Sequence, residues 1–215
     1  MSDLIARFTS LPGYGIAGLV VLLLYAAQDE IRFGARARTL HAGPADRKST
    51  LAVSVAAAVA VLGFMLAMKA SSPSIGTLLP RWFRAAVLPG LPTIAWLGVA
   101  IGTCGIALRL WAVLTLRERY TRTLLVQQEH SIERGGPYRW VRHPGYLGSL
   151  LCLNGIALAS GNWATLLASL VATLGAYGHR IRVEDEMLVA AVGASYAEYR
   201  REVGALLPSF RSPSP

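Results

Sequence analysis

Long apolar runs alternate with short polar ones along the chain. Five runs stand out, over residues 11–27, 51–70, 91–116, 146–160 and 163–179. Crossing the hydrocarbon core of a bilayer takes about 20 predominantly apolar residues in a helix, with a range of about 17–25. The second and third runs meet that length, and only Arg109 interrupts the third. The first is short and is expected to stay as an anchor, since Arg7 is a thin positive flank and no A-x-A-like cleavage site follows. The fourth and fifth are separated by Gly161-Asn162, which suits a tight turn and predicts a helical hairpin. At about 1.5 Å per residue the fourth would reach about 22 Å, so it crosses with local thinning or stops short of the far side. Residues 71–89, "SSPSIGTLLPRWFRAAVLP", are too broken for a span and too apolar for an ordinary loop. They predict an interfacial segment on the outer face, with Trp82 in an aromatic belt. Past the fifth run, Met187, Leu188, Ala191, Tyr196 and Tyr199 form a stripe, and Arg180 and Glu184 stand four apart. That spacing predicts a separate amphipathic helix lying against the membrane, with a surface ion pair.

The pattern therefore predicts an all-α integral membrane protein of about five transmembrane helices. The last two form a short hairpin, and a cytoplasmic amphipathic helix follows. Residues 1–90 read as a two-span region with the interfacial segment, 91–208 as a functional core, and 209–215 as a disordered tail. Composition agrees: 53% of the 215 residues are hydrophobic and only 15% charged, with mean hydropathy +0.44. A soluble domain usually carries about 25% charged residues. The net charge of +9 thus belongs to membrane loops and not to a nucleic-acid surface. Sixteen of the 21 basic residues fall after the first, third and fifth runs, against Arg7, Lys69, Arg81 and Arg84 on the other side. The positive-inside rule then places the N-terminus outside and the C-terminus in the cytoplasm, with a bacterial inner membrane as the expected home. Arg109 either snorkels to the headgroups or faces an internal polar cavity. Cys104 and Cys152 have no metal spacing and read as small buried hydrophobes.

Candidate chemistry concentrates at the cytoplasmic ends. Residues 120–146, "YTRTLLVQQEHSIERGGPYRWVRHPGY", put four arginines, two histidines and several aromatics at the mouth of the fourth run. Gly135-Gly136-Pro137 forces a turn, and His143-Pro144 breaks any helix just before that run starts. Taken alone, the stretch also reads as a membrane-entry loop with a positive-inside signal. Against this, a titratable ring at a helix entry suits an anionic ligand, because a helix N-terminus offers free N–H groups and a favourable dipole. No phosphate loop, nucleophile elbow or dinucleotide fingerprint occurs.

The two motifs together are more telling than either alone. "GGPYRWVRHPGYLG", then an apolar hairpin, then "RIRVEDEML" and "VGASYAEYRREV", resembles the isoprenylcysteine carboxyl methyltransferase family over about residues 102–208. The family's tail pattern, Arg-x-x-x-Glu-Glu-x-x-Leu followed by Phe-Gly-x-x-Tyr-x-x-Tyr, is met by Arg180, Glu184, Leu188, Gly193, Tyr196 and Tyr199. Asp185 stands for the second glutamate and Val192 for the phenylalanine. The resemblance implies a pocket for S-adenosyl-methionine built from the cytoplasmic loop, the last span and the tail helix. His130, Ile132, Tyr138, His143, Pro144, Gly145, Tyr146 and Glu184 match the cofactor-binding positions, with Gly145 in place of a serine. Either Gln127 or Gln128 would supply a further contact. Arg180 matches the arginine facing the methyl acceptor.

The implied activity is methyl transfer to a lipophilic small molecule or lipid-modified group, most simply a carboxylate, with the bilayer as partner and no role for nucleic acid. Other readings stay open on the sequence. A phospholipid or small-lipophile N- or O-methyltransferase fits the same cofactor site. Sterol reductases share a similar Arg-His-Pro-x-Tyr-x-Gly element and use NADPH, though with more spans. A non-catalytic membrane subunit would also keep the loop.

Overall fold

The computed structural model describes residues 12–39, 46–70, 76–116 and 132–209. Among these residues the chain is helical throughout: α1 (Gly13–Thr39), α2 (Ser49–Met68), the short α3 (Arg81–Arg84), α4 (Thr93–Leu116), α5 (Pro144–Ala159), α6 (Trp163–Val192) and α7 (Ala194–Glu202). Three-residue and four-residue 3₁₀ turns occupy Gly76–Leu78 and Gly136–Arg139. Two of the described helices, α2 and α4, are long and apolar enough to cross a membrane. Large apolar side chains such as Val20, Leu24, Val55, Leu62, Leu97, Leu114, Val171 and Leu174 are exposed on the outer faces of the bundle. A surface of that kind is expected to meet lipid or another protein.

All five apolar runs are helical, and two of the helices outrun their apolar stretch. Helix α1 continues to Thr39, through the arginine-bearing residues expected to be a loop. Helix α6 has 30 residues and continues unbroken to Val192, so the expected separate amphipathic helix is its second half. Charge ends a membrane span but does not by itself end a helix. Residues 28–39 contain no proline, and residues 180–192 contain neither proline nor glycine. At about 1.5 Å per residue α6 is about 45 Å long, so its C-terminal third projects beyond any bilayer core it crosses. Gly193, at φ 73, ends it, and α7 turns back.

The centre is the crossing of α4 and α5, the most extensive helix pair in the fold. Their backbones touch through small residues: a Cβ at Gly105 would lie 2.5 Å from the Cys152 nitrogen, and one at Gly155 would lie 2.5 Å from the Gly102 nitrogen. Close approach through glycine is the usual way membrane helices associate when no hydrophobic force drives them together. Val21, Leu22, Phe64, Cys152 and Ile156 form one buried cluster around this crossing, and Ala60, Leu150, Leu153 and Tyr177 another. Of the two cysteines only Cys152 is buried; Cys104 is exposed on α4.

The hairpin turn forms as its sequence requires. Gly161 takes φ 66, and the Asn162 side chain caps α6 by accepting from the Thr165 N–H at 3.0 Å. The prolines-and-tryptophan segment covers that turn: Asn162 Nδ2 donates to the Phe83 carbonyl at 2.8 Å, and Leu88 N–H donates to the Gly161 carbonyl at 2.8 Å. Trp82 is left exposed. Of the two readings of Arg109, the structure shows the interior one. The side chain is buried, donates to Ser149 Oγ at 2.9 Å and lies over the Tyr25 ring.

Candidate active site

Helix α5 starts where the sequence says it must. Pro144 is its first residue, where a missing N–H costs nothing, and His143 immediately precedes it in a non-helical conformation. Gly136 takes φ 52 and turns the chain into the 3₁₀ turn, which packs Pro137 and Tyr138 beneath it. Tyr138 is buried, its hydroxyl pointing at the Ala112 carbonyl and its own carbonyl accepting from Tyr199 Oη at 2.6 Å. Residues 141–143 then run beside the tail. Arg142 N–H donates to the Gly204 carbonyl at 2.8 Å and His143 N–H to the Ala205 carbonyl at 3.0 Å.

Where this entry meets α6, polar side chains form one continuous array. Tyr146 Oη accepts from Arg180 Nε at 2.8 Å. Arg180 is thus turned onto Tyr146 on a buried face of α6, where a surface pair with Glu184 was expected. Arg180 is only 4% exposed. Its Nη1 donates to Thr50 Oγ1 at 2.9 Å and to Ser49 Oγ at 3.4 Å, and lies 3.7 Å from Asp46 Oδ1. On the other side of Tyr146, its ring stacks on His143 with centroids 5.4 Å apart and planes 7° apart. His143 Nδ1 lies 3.6 Å from Glu184 Oε2, and Nε2 lies 3.1 Å from Asp185 Oδ1. Both ring nitrogens face carboxylates of the chain. An anionic ligand at His143 would meet Glu184 beside Nδ1.

Asp185 ends the array as a hub. Besides His143, its carboxylate accepts from Tyr196 Oη at 2.5 Å and Arg142 Nη2 at 2.9 Å, with Arg200 Nε at 3.6 Å. Burial pushes this carboxyl up, but the hydrogen bonds from His143 and Tyr196 and the charges of His143 and Arg142 outweigh it and hold the group well below the usual carboxylate range. Arg142 also donates to the carbonyls of Arg200 and Val203, which fastens α7 and the tail to the loop. Burial pushes the Tyr199 phenol up to about 12.

Of the residues singled out in the sequence, Tyr138, His143, Pro144, Gly145, Tyr146, Arg180 and Glu184 meet at the junction of the loop, α5 and α6. Ile132 is half-buried in the irregular stretch before Gly135. His130, Gln127 and Gln128 lie outside the described residues. Sequence reasoning missed Asp46, Ser49 and Thr50, which come from the start of α2. The signal was present: an aspartate shortly before Ser-Thr and an apolar run is a helix-start pattern, and Asp46 does accept from the Thr50 N–H at 3.1 Å.

One feature of the array tests whether it fits a ligand. Glu184 Oε2 is buried without a hydrogen-bond partner, although the side chain as a whole keeps 26% of its surface. A buried carboxylate oxygen lacking a donor is costly and asks for an amine or hydroxyl from elsewhere. The amino acid and ribose of S-adenosyl-methionine both carry such donors, so the donor set fits that group.

Residues 97–190 match the model of the isoprenylcysteine carboxyl methyltransferase (ICMT) family. That segment is similar to the family over somewhat less than half of the chain. It includes most of α4, the described part of the loop, α5 and nearly all of α6, hence Tyr138, His143, Tyr146, Arg180 and Glu184. A protein-S-isoprenylcysteine O-methyltransferase of Tribolium castaneum is 30% identical over 125 residues, 56% of this chain and 44% of the relative. A cobalt-zinc-cadmium resistance protein, CzcN, of Cupriavidus metallidurans is 34% identical over 128 residues, 60% of this chain and 54% of the relative. The chain thus spans about half the length of the curated relatives it matches. Among solved structures, the eukaryotic intramembrane Ras methyltransferase ICMT superposes with a TM-score of 0.60 at 22% identity, covering 92% of this chain and 68% of that one. At that identity the likeness speaks for the fold. It also extends over the first two apolar helices, where the sequence carried no resemblance.

Proposed function

We propose that the chain is a membrane-embedded methyltransferase that uses S-adenosyl-methionine and methylates a lipophilic acceptor, a carboxylate being the acceptor that best suits Arg180. The observation that supports this most directly is the pairing, one turn apart on α6, of a buried arginine with a carboxylate whose Oε2 lacks a donor. Glu184 would hold the cofactor through its amine or hydroxyl donors, with Tyr138, Pro144, Gly145 and Tyr146 forming the neighbouring wall. His143 sits between Glu184 and Asp185, with Nδ1 3.6 Å from Glu184 Oε2. When bound, the cofactor supplies a methyl group on a sulfonium sulfur, open to in-line displacement. Arg180 would orient the acceptor carboxylate by charge-assisted hydrogen bonds. A carboxylate is already nucleophilic, so no base is required: its oxygen forms the new bond to carbon and no proton moves. The remaining work is positioning and exclusion of water, which burial of the array provides.

In this reading α1, α2, α4, α5 and the first part of α6 are the five spans. The N-terminus lies outside and the array faces the cytoplasm, in a bacterial inner membrane. A reporter fused after Pro215 is expected on the cytoplasmic side and one at Ser72 on the outer side; reporters on the same side would rule out five spans. The cofactor is tested by calorimetry on the purified full chain. S-adenosyl-homocysteine is expected to bind and NADPH is not. Glu184→Ala is expected to weaken binding of S-adenosyl-homocysteine by about 1–3 kcal/mol, the cost of losing a charge-assisted contact. Wild-type affinity in a folded Glu184→Ala protein would remove Glu184 from the site.

A further inference from the structure

Arg180 does not wait for its ligand alone. Asp46, only 2% exposed, lies 3.7 Å from Nη1, and the link is reinforced by two hydroxyls. Ser49 Oγ and Thr50 Oγ1 each donate to Asp46 Oδ1 at 2.8 Å, while both accept from Arg180 Nη1. The hydroxyls act as a relay, so the guanidinium is oriented by a buried carboxylate it barely touches. Asp46 is ionised here: burial raises its carboxyl, but the bonds from the Thr50 backbone, Ser49 and Thr50 and the charge of Arg180 together lower it below the usual range. Its placement is locally specified. Arg47 and Lys48 both take the left-handed region, at φ 47 and φ 62, between Asp46 and the first turn of α2. Two consecutive non-glycine residues there are uncommon and persist only when surrounding contacts determine them. Two such contacts cross to α6: His179 Nε2 meets the Arg47 carbonyl at 3.2 Å, and Arg47 Nη1 donates to Glu186 at 2.6 Å.

We propose that Asp46 is a specificity-determining residue of the methyl-transfer site: a resident carboxylate that shares Arg180 with the acceptor and tempers its attraction for anions. The inference rests on the reading of Arg180 as the acceptor-facing residue. Asp46 lies outside the segment 97–190 that matches the family, so in this chain a part of the site comes from the N-terminal helices. With Asp46 charged, an anionic acceptor meets a guanidinium already facing one carboxylate. A second carboxylate on the opposite edge feels repulsion across it. Binding of a carboxylate is therefore weaker than the arginine alone would give, and a neutral acceptor of the same shape is unaffected by this term. Excessively tight binding of an anion that is lost on methylation would lower KM without helping the chemical step.

The test uses the full chain in lipid nanodiscs, labelled S-adenosyl-methionine, and two probes. One is a prenylated cysteine with a free carboxylate. The other is its methyl ester, used as a neutral competitor. Asp46→Asn keeps an oxygen to receive the Ser49 and Thr50 hydroxyls and removes the charge. Asp46→Ser keeps an acceptor for the Thr50 N–H by another route, in case the first variant fails to fold. Both variants are expected to lower KM for the carboxylate probe by about five-fold, as loss of one like charge several ångströms away would do. Inhibition by the ester and affinity for S-adenosyl-homocysteine should each stay within about two-fold. A merely structural cap would lower thermal stability and leave the ratio of carboxylate to ester affinity unmoved, and that result overturns the proposal. A raised KM for the carboxylate overturns it equally. If the wild-type protein methylates the probe but the ratio does not shift, Asp46 falls and the functional reading stands. If the wild-type protein transfers no methyl group to the probe, the functional reading falls and takes this proposal with it.

Discussion

Replacing Asp185 by alanine is expected to release α7 and the tail from the loop, costing about 3 kcal/mol of stability. The size follows from what Asp185 leaves behind. Arg142 and His143 are 8% and 5% exposed in their side chains, so neither can turn to water when the carboxylate goes. Removing one member of a buried ionic cluster strands the others, and the stranded charge dominates the cost. Arg142 would keep its bonds to the Arg200 and Val203 carbonyls, which limits the loss. Tyr196 would lose its acceptor. Because His143 also faces Glu184, binding of S-adenosyl-homocysteine is expected to fall with the stability. Denaturant unfolding in detergent, read alongside calorimetry, measures both. The pH dependence has a definite sign. A carboxyl held below its unfolded value contributes stability that is complete above the unfolded value and fades as pH falls towards the folded one. With Asp185 depressed, the wild-type latch should begin to weaken only below about pH 4, and the alanine variant should lack that acid-dependent step. An Asp185→Ala protein with unchanged midpoint and unchanged acid profile would show that the hub does not hold the tail.

How much of this was legible in the sequence depends on the range of the interaction. Hydrophobic runs placed all five apolar helices, because burial in lipid or core is written directly in composition. Gly161-Asn162 and His143-Pro144 gave the turn and the helix start, because backbone restriction is local to one or two residues. The extent of α1 and α6 was misjudged where a change in polarity was taken for a change in secondary structure. The motif residues Tyr146, Arg180 and Glu184 do meet, but the bond from Arg180 to Tyr146 is invisible to an i,i+4 rule, since Tyr146 comes from another helix. Asp46 was least legible of all. Residues 46 and 180 are joined only by the packing of α2 against α6, and nothing in either local sequence announces the other. Asp185, noted only as a substitution within a motif, proved to be the hub because a shorter carboxylate still reaches Arg142, His143 and Tyr196 at once.

Arg180→Lys is expected to leave the fold and cofactor binding largely intact while lowering methyl transfer about 100-fold, the equivalent of about 2.7 kcal/mol of transition-state stabilisation. Lysine is the informative change because it separates charge from geometry. An ammonium retains an attraction to Asp46, which at 2% exposure could not be left without a counter-charge. Arg180→Ala is a poorer test for that reason: part of its effect would be the stranding of Asp46, and its stability should recover when Asp46→Asn is added. What lysine cannot reproduce is the planar fork. Arg180 donates through Nε to Tyr146 and through Nη1 to Thr50 and Ser49, so its plane is set by two helices other than its own. A single ammonium on a flexible stem satisfies one of those directions and gives up the other. An acceptor carboxylate held by that group would lose alignment with the reacting methyl, and misplacement of about 1 Å can cost about 100-fold in rate. Tyr146→Phe provides the internal control. It removes the hydroxyl that accepts from Arg180 Nε while leaving the guanidinium and the ring stacked on His143, so it should lower turnover more than S-adenosyl-homocysteine binding. Turnover in Arg180→Lys within a few-fold of wild type, with the prenylated carboxylate as acceptor, would assign Arg180 to structure alone and leave the carboxylate acceptor without a residue to hold it.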